Sequence, residues 1–167
     1  MKLYRARAWR AGPATFDPLD SSGSIGGAGW RFNDVHTEIL YTAEVEALAI
    51  LEVAVRPGWE TVRQVLIGTI ELPDGLVVEP RDLGILLPSN WNARPVAPDS
   101  RGIGREFLSA IAGVAAASRP IGLRVPSVLS NSDHNVLIDP SRKELCSGSL
   151  THRLPYAPDI SYDSPVF

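Results

Sequence analysis

The chain has 167 residues, of which 44% are apolar and 21% are charged, so it suits one domain with a substantial core. Its formal net charge of −3 offers no basic field, which argues against direct binding of nucleic acid. The single cysteine, Cys146, excludes an internal disulfide framework and has no basic neighbour that would activate it. The charged N-terminus and the lack of an apolar run of about 20 residues predict a soluble cytoplasmic protein without membrane contact.

The N-terminal region predicts a strand followed by a glycine-rich loop. Residues 3–9 alternate, with Leu3, Arg5 and Arg7 on one face of the strand. Residues 11–29 are rich in glycine, serine and proline, and such a loop lets backbone amides approach a ligand closely. No helix follows directly, so the loop is not a dinucleotide motif of the strand–GxGxxG–helix kind.

Residues 39–55 predict a buried strand that leads into a helix. Thr42 is the expected N-cap of this helix, with Glu44 and Glu46 in its first turn. Glu52 is the one charged residue between positions 47 and 55, and helical spacing places it on an apolar face with Val45, Leu48, Ala49 and Val55. A carboxylate there is unfavourable unless it is hydrogen-bonded or paired. Two interpretations stay open: a functional acid, or a salt-bridged or half-exposed glutamate near a helix end.

The rest of the chain predicts further strands and one more helix. Pro57 and Gly58 end the first helix, and Ser100 is the expected N-cap of the second, over residues 101–117. The other predicted elements are strands at 62–72, 76–78, 121–126, 128–129 and 136–138, a turn at 73–75, and a proline-rich loop with at most one helical turn at 80–99. From residue 139 onward we expect a polar tail. This order predicts an α+β fold built on a compact mixed sheet with a few helices.

Four segments, taken in order over about residues 3–142, resemble RES-domain proteins. Arg31-Phe-Asn33 is similar to the Arg-Trp-Asn that follows a glycine-rich lead in that family, and residues 40–44 with 47–53 are similar to its strand–helix segment. Ser100-Arg-Gly-Ile-Gly104 resembles a central segment, and residues 123–128 with 135–140 resemble its Val-Pro-Ser and Asn-x-Leu-x-Asn-Pro run. The Arg, Glu and Ser of the family name fall on Arg31, Glu52 and Ser127. Phe32 and Asp139 depart from the pattern, but neither belongs to that set.

The resemblance implies a single RES-type domain over residues 1–167, with a tail at 143–167 and a fold like that of ADP-ribosyltransferase toxins. It implies the toxin of a bacterial type II toxin–antitoxin pair that degrades NAD, acts in the cytoplasm, and is inhibited by an Xre-type helix-turn-helix antitoxin. NAD would be the substrate, with no cofactor and no metal. Whether the protein forms a homodimer or a hetero-oligomer with the antitoxin stays open.

The same resemblance implies roles for individual residues. Glu52 would stabilise the oxocarbenium-like transition state and orient water, while Arg31 would hold the pyrophosphate. Tyr41 would stack on nicotinamide or ribose, and Ser127 would hydrogen-bond ribose or the carboxamide. The remaining residues expected to bind NAD are Gly27, Gly29, Phe32 and Asn135.

Each of three side chains also has a structural interpretation. Arg31 could be a surface arginine packed on Trp30, and Tyr41 an ordinary core tyrosine. Ser127 could bond its own backbone in a turn.

Three alternative functions are weighed against NAD hydrolysis. Ser127, Asp133 and His134 lie close in sequence, but no Gly-x-Ser-x-Gly elbow supports a serine hydrolase. Transfer of ADP-ribose to a protein would use the same residues as hydrolysis, so the acceptor (water, phosphate or protein) stays open. A non-catalytic antitoxin-binding module would leave cellular NAD unchanged. The three histidines have no metal-ligand spacing.

Overall fold

A computed structural model describes residues 1–10, 16–26, 29–55 and 62–155 of the chain. These residues form a seven-stranded mixed sheet and two α-helices, which confirms the predicted α+β class. The strands are β1 (Lys2–Trp9), β2 (Leu40–Ala43), β3 (Gln64–Glu71), β4 (Val77–Val78), β5 (Gly122–Pro126), β6 (His134–Ile138) and β7 (Ser147–Pro155). The helices are α1 (Glu46–Ala54) and α2 (Ile103–Ala112).

The strand order across the sheet is β4-β5-β6-β2-β1-β3-β7. Neighbouring strands run antiparallel, except β4 and β5, which are parallel. β1 pairs with β3 over its whole length, from Lys2–Glu71 to Trp9–Gln64. Within the described residues its register with β2 is the single pair Tyr4–Ala43. The two strands therefore diverge beyond Tyr4, and one edge of β1 faces a gap in the centre of the sheet.

Apolar side chains pack on both faces of the sheet, as the period-2 alternation of strands requires. On one face, α2 packs through Phe107 and Ile111 against strand residues such as Leu123 and Leu137. On the other, Leu3 belongs to a second cluster whose other buried members are Leu40, Ile70, Leu72, Ile121, Val136 and Ile138. The sheet is thus buried on both sides, and this fixes the strands that carry the site.

Helix α1 begins later than predicted. Thr42 does not cap it: this residue lies in β2, where its Oγ1 donates to the Val136 carbonyl at 2.9 Å. The N-cap is Val45, in an extended conformation without a capping side chain, and only Glu46 of the two predicted acids lies in the first turn. Glu44 instead pairs with Arg124 at 2.7 Å, because sheet pairing extends the chain through the position where the cap was expected.

Helix α2 is shorter than the predicted 101–117. A 3₁₀ turn at Asp99–Gly102 precedes it, and the buried Ser100 makes no capping hydrogen bond. The helix ends at Ala112 with Gly113 as C-cap, so residues 113–117 of the predicted helix lie beyond its end. Glycine disfavours helix, and the alanines that follow are exposed and offer little burial to extend it.

The segment predicted as a polar tail supplies a strand. After a 3₁₀ turn at Pro140–Leu145, β7 pairs antiparallel with β3 along one edge of the sheet. An edge strand can be polar on its exposed face, so it lacks the apolar pattern that would predict it.

The strand predicted at 128–129 is absent, since Leu129 donates its backbone N–H to Ser127 instead. The predicted helix end at Pro57 and Gly58 lies outside the described residues. The helical turn expected within 80–99 is present at Pro80–Leu83. None of the described helices is both long and apolar enough to span a bilayer.

Candidate active site

A cavity of about 480 Å³ opens where β1 and β2 diverge, within the range of ligand pockets. Its wall combines both strands with α1, the 16–24 loop and the segment that follows the glycine-rich stretch. The side chains used below are Arg5, Arg7, Phe16, Arg31, Tyr41, Glu52 and Asn135.

Glu52 lies on the wall of this cavity, half-buried, and two neutral donors meet at one of its oxygens. Oε1 accepts from Asn135 Nδ2 at 2.7 Å and from Ser127 Oγ at 3.0 Å. These donors satisfy a carboxylate that would otherwise be unfavourable beside apolar side chains. Leu48 and Ala49, which were predicted to share a helix face with Glu52, are buried and pack with Ala43 of β2. Val45 and Val55, which were predicted to share that face, are 37% and 54% exposed because the buried stripe of α1 is narrow.

Ser127 lies behind Glu52 and is 5% exposed. Its hydroxyl donates to Glu52 and accepts the Leu129 backbone N–H at 3.1 Å, so it both shapes its turn and contacts the acid. It is not among the residues that line the cavity.

The serine hydrolase alternative lacks its geometry. Asp133 accepts a hydrogen bond from Ser130 at 2.8 Å, and His134 Nδ1 lies 3.7 Å from a Glu44 oxygen. The Ser127 hydroxyl donates to a carboxylate and not to an imidazole, so these three residues form no triad.

Arg31 lines the same cavity as Glu52, and the 91–93 segment holds it in place. Its Nη1 donates to the backbone carbonyls of Trp91 at 2.7 Å and Ala93 at 3.2 Å. Burial lowers the pKa of the guanidinium and the charge of Arg94 lowers it further, whereas Glu52 and Tyr41 raise it. An arginine stays protonated regardless, so the site contains a fixed cation.

Tyr41 projects from β2 into the cavity wall, and Asn33 orients it. The Tyr41 hydroxyl donates to Asn33 Oδ1 at 2.8 Å and accepts the Phe32 backbone N–H at 3.1 Å. Asn33 is fully buried, and its amide donates to the carbonyls of Ser24 and Thr37. Sequence reasoning gave Asn33 no role. The position of Asn33 in the Arg31-Phe-Asn33 motif was the one hint of its role that the sequence offered. Its hydrogen-bond partners are 4 to 9 residues away, and only the fold brings them together.

The other predicted NAD-binding residues differ in placement. Asn135 lines the cavity and donates to Glu52. Phe32 also lines it, but its ring is buried and stacks on Trp91 at 6.3 Å. Gly29 has a φ of 78°, and a Cβ there would lie 2.4 Å from the Asn33 carbonyl oxygen, so it is needed for a tight turn. Gly27 lies outside the described residues.

Arginines of β1, for which the sequence pattern suggested no function, also line the cavity. Arg5 donates to the carbonyl oxygens of Pro18, at 3.0 Å, and Asp20. Arg7 lies two residues along the same strand face. Their alternation was visible in sequence, but the gap beside β1 was not. In the described part of the chain, no group of three or more His, Cys, Asp or Glu residues is placed to hold a metal ion.

Comparison with known proteins settles the family of this chain. A sequence profile of the RES domain matches residues 2–159. The chain belongs to the RES domain family. Toxin Res of Yersinia enterocolitica is 29% identical to this RES domain over 156 residues, which are 90% of this chain and 88% of the relative.

Two further relatives of this RES domain cover less of the chain. Toxin Res of Photorhabdus laumondii is 30% identical over 117 residues, 70% of this chain and 69% of the relative. The Prs ADP-ribosylating toxin of a Sphingobium species is 33% identical over 135 residues, 78% of each chain.

The three residues of the family name meet at one place in this RES domain. Arg31 and Glu52 line one cavity, and Ser127 contacts Glu52 from behind. The fold therefore brings together side chains that are up to 96 residues apart in sequence.

Proposed function

We propose that this RES domain is a toxin that cleaves the bond between nicotinamide and ribose in NAD, with Glu52 as the catalytic carboxylate. The observation that carries the proposal is the state of Glu52: an acid held at Oε1 by two donors, on the wall of a cavity shared with Arg31. The three relatives are all named as toxins, which supports the toxin role.

The proposed reaction breaks the N-glycosidic bond so that its electron pair leaves with nicotinamide. The ribose then carries oxocarbenium character, which a nearby carboxylate stabilises. Water adds to the anomeric carbon and gives up a proton to Glu52, which acts as general base. The products are nicotinamide, ADP-ribose and one proton.

Arg31 and Tyr41 would bind the substrate around this centre. Arg31 presents a cation that the 91–93 carbonyls hold in position, suited to a phosphate oxygen of NAD. Tyr41 offers a ring fixed by Asn33, suited to contact with nicotinamide or ribose. Ser127 and Asn135 would act through Glu52, by fixing the orientation of its carboxylate.

The test is nicotinamide release from NAD by purified protein. Glu52→Gln keeps the shape of the side chain and removes its charge, so we expect the rate to fall by about 100-fold or more. Glu106→Gln, an exposed acid on α2 away from the cavity, is the matched control and should retain full activity. Wild-type rates from folded Glu52→Gln protein would contradict the proposal.

Transfer of ADP-ribose to a protein is a second candidate, because one relative is named an ADP-ribosylating toxin. Incubation of the protein with a bacterial extract and NAD labelled in its adenylate part separates the two. Label retained on a protein band indicates transfer, whereas free ADP-ribose indicates hydrolysis.

We also propose an Xre-type helix-turn-helix antitoxin as the partner in the cytoplasm, supported by the toxin names of the relatives. The check is to co-express the chain with any small helix-turn-helix protein encoded beside it. Restored growth and co-purification are expected, and continued toxicity without binding would refute the partnership.

A further inference from the structure

We propose that the end of the cavity formed by β1 and the 16–24 loop is a subsite for the adenosine-phosphate half of NAD. Arg7 would bind the phosphate, and Phe16 would contact the adenine ring. The inference rests on the proposed function, since it names the part of the same substrate that lies away from Glu52.

Arg7 has the properties of an anion-binding side chain. It is exposed, lies on the cavity wall, and makes no hydrogen bond or ion pair to any residue that the structure describes. A guanidinium carries five N–H donors in a planar fork that matches phosphate oxygens. Arg5, two residues earlier on the same strand face, contacts the carbonyls of Pro18 and Asp20 and so holds the loop at this end.

Phe16 presents an aromatic ring to the same end of the cavity. The Arg5 guanidinium carbon lies 5.8 Å from the ring centre, which holds the ring beside β1. Gly68 of β3 leaves room for it, because a Cβ at that position would lie 3.0 Å from Phe16 Cε1 and 2.5 Å from Pro18 Cγ. A held, half-exposed ring next to a cation suits a purine linked to a phosphate.

The carboxylates at this end of the cavity accept hydrogen bonds from backbone N–H groups two residues further along the chain. Asp17 accepts the Leu19 backbone N–H at 2.8 Å, and Asp20 accepts that of Ser22 at 3.0 Å. The bonds from Ser22 lower the pKa of Asp20 most, and the charges of Arg5 and Arg7 lower it further. With Arg31 near Glu52 and Arg7 on β1, the cavity carries cations along its length for a substrate with two phosphates.

The test compares binding of NAD with binding of nicotinamide mononucleotide, which lacks the adenosine-phosphate half. Both are titrated calorimetrically into Glu52→Gln protein, so that turnover does not interfere. In this Glu52→Gln background, the second substitution Arg7→Gln should weaken NAD binding by about tenfold or more. The affinity for the mononucleotide should stay within about twofold of that of the Glu52→Gln protein. Phe16→Ala should also weaken the binding of NAD and leave that of the mononucleotide nearly unchanged. Arg63→Gln, exposed before β3 and outside the cavity, is the matched control.

Either of two results would overturn the subsite: an unchanged NAD affinity in Arg7→Gln, or an equal loss for both ligands. Failure of the proposed function has a different signature. Wild-type protein that binds NAD with Arg7-dependent affinity but releases no nicotinamide would refute the cleavage reaction and retain the subsite. Absence of NAD binding by the Glu52→Gln protein itself would refute the subsite.

Discussion

Two side chains from different parts of the sheet meet at Glu52: Ser127 follows β5, and Asn135 lies in β6. The hydroxyl of Ser127 and the amide of Asn135 both donate to Oε1 of this carboxylate. A carboxylate held in this way is ready to face developing positive charge.

Removing one of these donors should lower catalysis more than binding. For Ser127→Ala we expect kcat for nicotinamide release to fall about tenfold with KM nearly unchanged, because a hydrogen bond to a charged group is worth roughly 1.5–3 kcal/mol. Ser127→Thr, which keeps the hydroxyl, should recover most of the loss. A raised KM with unchanged kcat would instead place Ser127 in direct contact with substrate.

Asp34 gives a pH-dependent contribution to stability next to the site. Hydrogen bonds from His36 and Thr37 lower its pKa, and the Arg105 guanidinium at 2.9 Å lowers it further. Because the folded pKa lies below the unfolded value of about 3.9, this contribution is present above that pH and is lost as the pH falls through the folded pKa.

Asp34→Asn should therefore lower the melting temperature at pH 7 and make progressively less difference as the pH falls from about 4 through the folded pKa of Asp34. Thermal unfolding of both proteins across this range, followed by circular dichroism, is the measurement. A constant difference at every pH would mean that the charge of Asp34 is not the cause.

At the scale of elements, helix α2 fixes the segment that carries Arg31. The Gly104 backbone N–H donates to the Phe32 carbonyl at 2.7 Å, and a Cβ on Gly104 would lie 2.6 Å from that oxygen. Arg105, next along the helix, pairs with Asp34. The absence of a side chain on Gly104 therefore lets α2 lie directly against residues 32–34.

Gly104→Ala should separate α2 from this segment. We expect a destabilisation of about 1–3 kcal/mol in urea unfolding, as for other overpacked sites, together with weaker NAD binding as Arg31 moves. Gly113→Ala is the control: it sits at the end of the same helix with nothing within 4 Å of its Cβ position. Equal stability of the two variants would argue against the close contact.

At the scale of the whole molecule, the site depends on how the sheet is assembled. β1 is fully paired with β3 and barely paired with β2, and the cavity forms in the gap. β3 in turn pairs with β7 on its other side. β7 thus supports the strand that holds β1 in place, and those of its side chains that the structure describes do not line the cavity wall.

Loss of β7 should therefore impair folding. A truncated chain that ends at Cys146 lacks β7, whereas one that ends at Pro155 keeps it and is the matched comparison. We expect the shorter chain to unfold at a lower urea concentration, because β3 loses a partner and becomes an exposed edge. Identical unfolding curves for the two would show that β7 is dispensable.

Much of this architecture could be predicted from local patterns, and the two wrongly predicted helix caps share one cause. The strands around residues 3–9, 62–72 and 121–126 and the placement of Glu52 on α1 follow from alternation and helical spacing. Thr42 and Ser100 were expected to cap helices, yet one is in a strand and the other is buried in a 3₁₀ turn. In both cases tertiary packing outweighed the local preference for a cap.

The sequence alone was enough to find the motifs that resemble the RES family and to place Glu52 on an apolar helix face, because residue identity and periodicity can be read along the chain without its fold. Only the tertiary structure decided that Ser127 contacts Glu52 rather than lining the cavity, that Asn33 orients Tyr41, and that the arginines of β1 face the same cavity. The contact of Ser127 with Glu52 joins residues 75 positions apart, and that of Asn33 with Tyr41 joins residues eight positions apart in different elements. Each depends on strand order and on the divergence of β1 from β2, which no local pattern encodes.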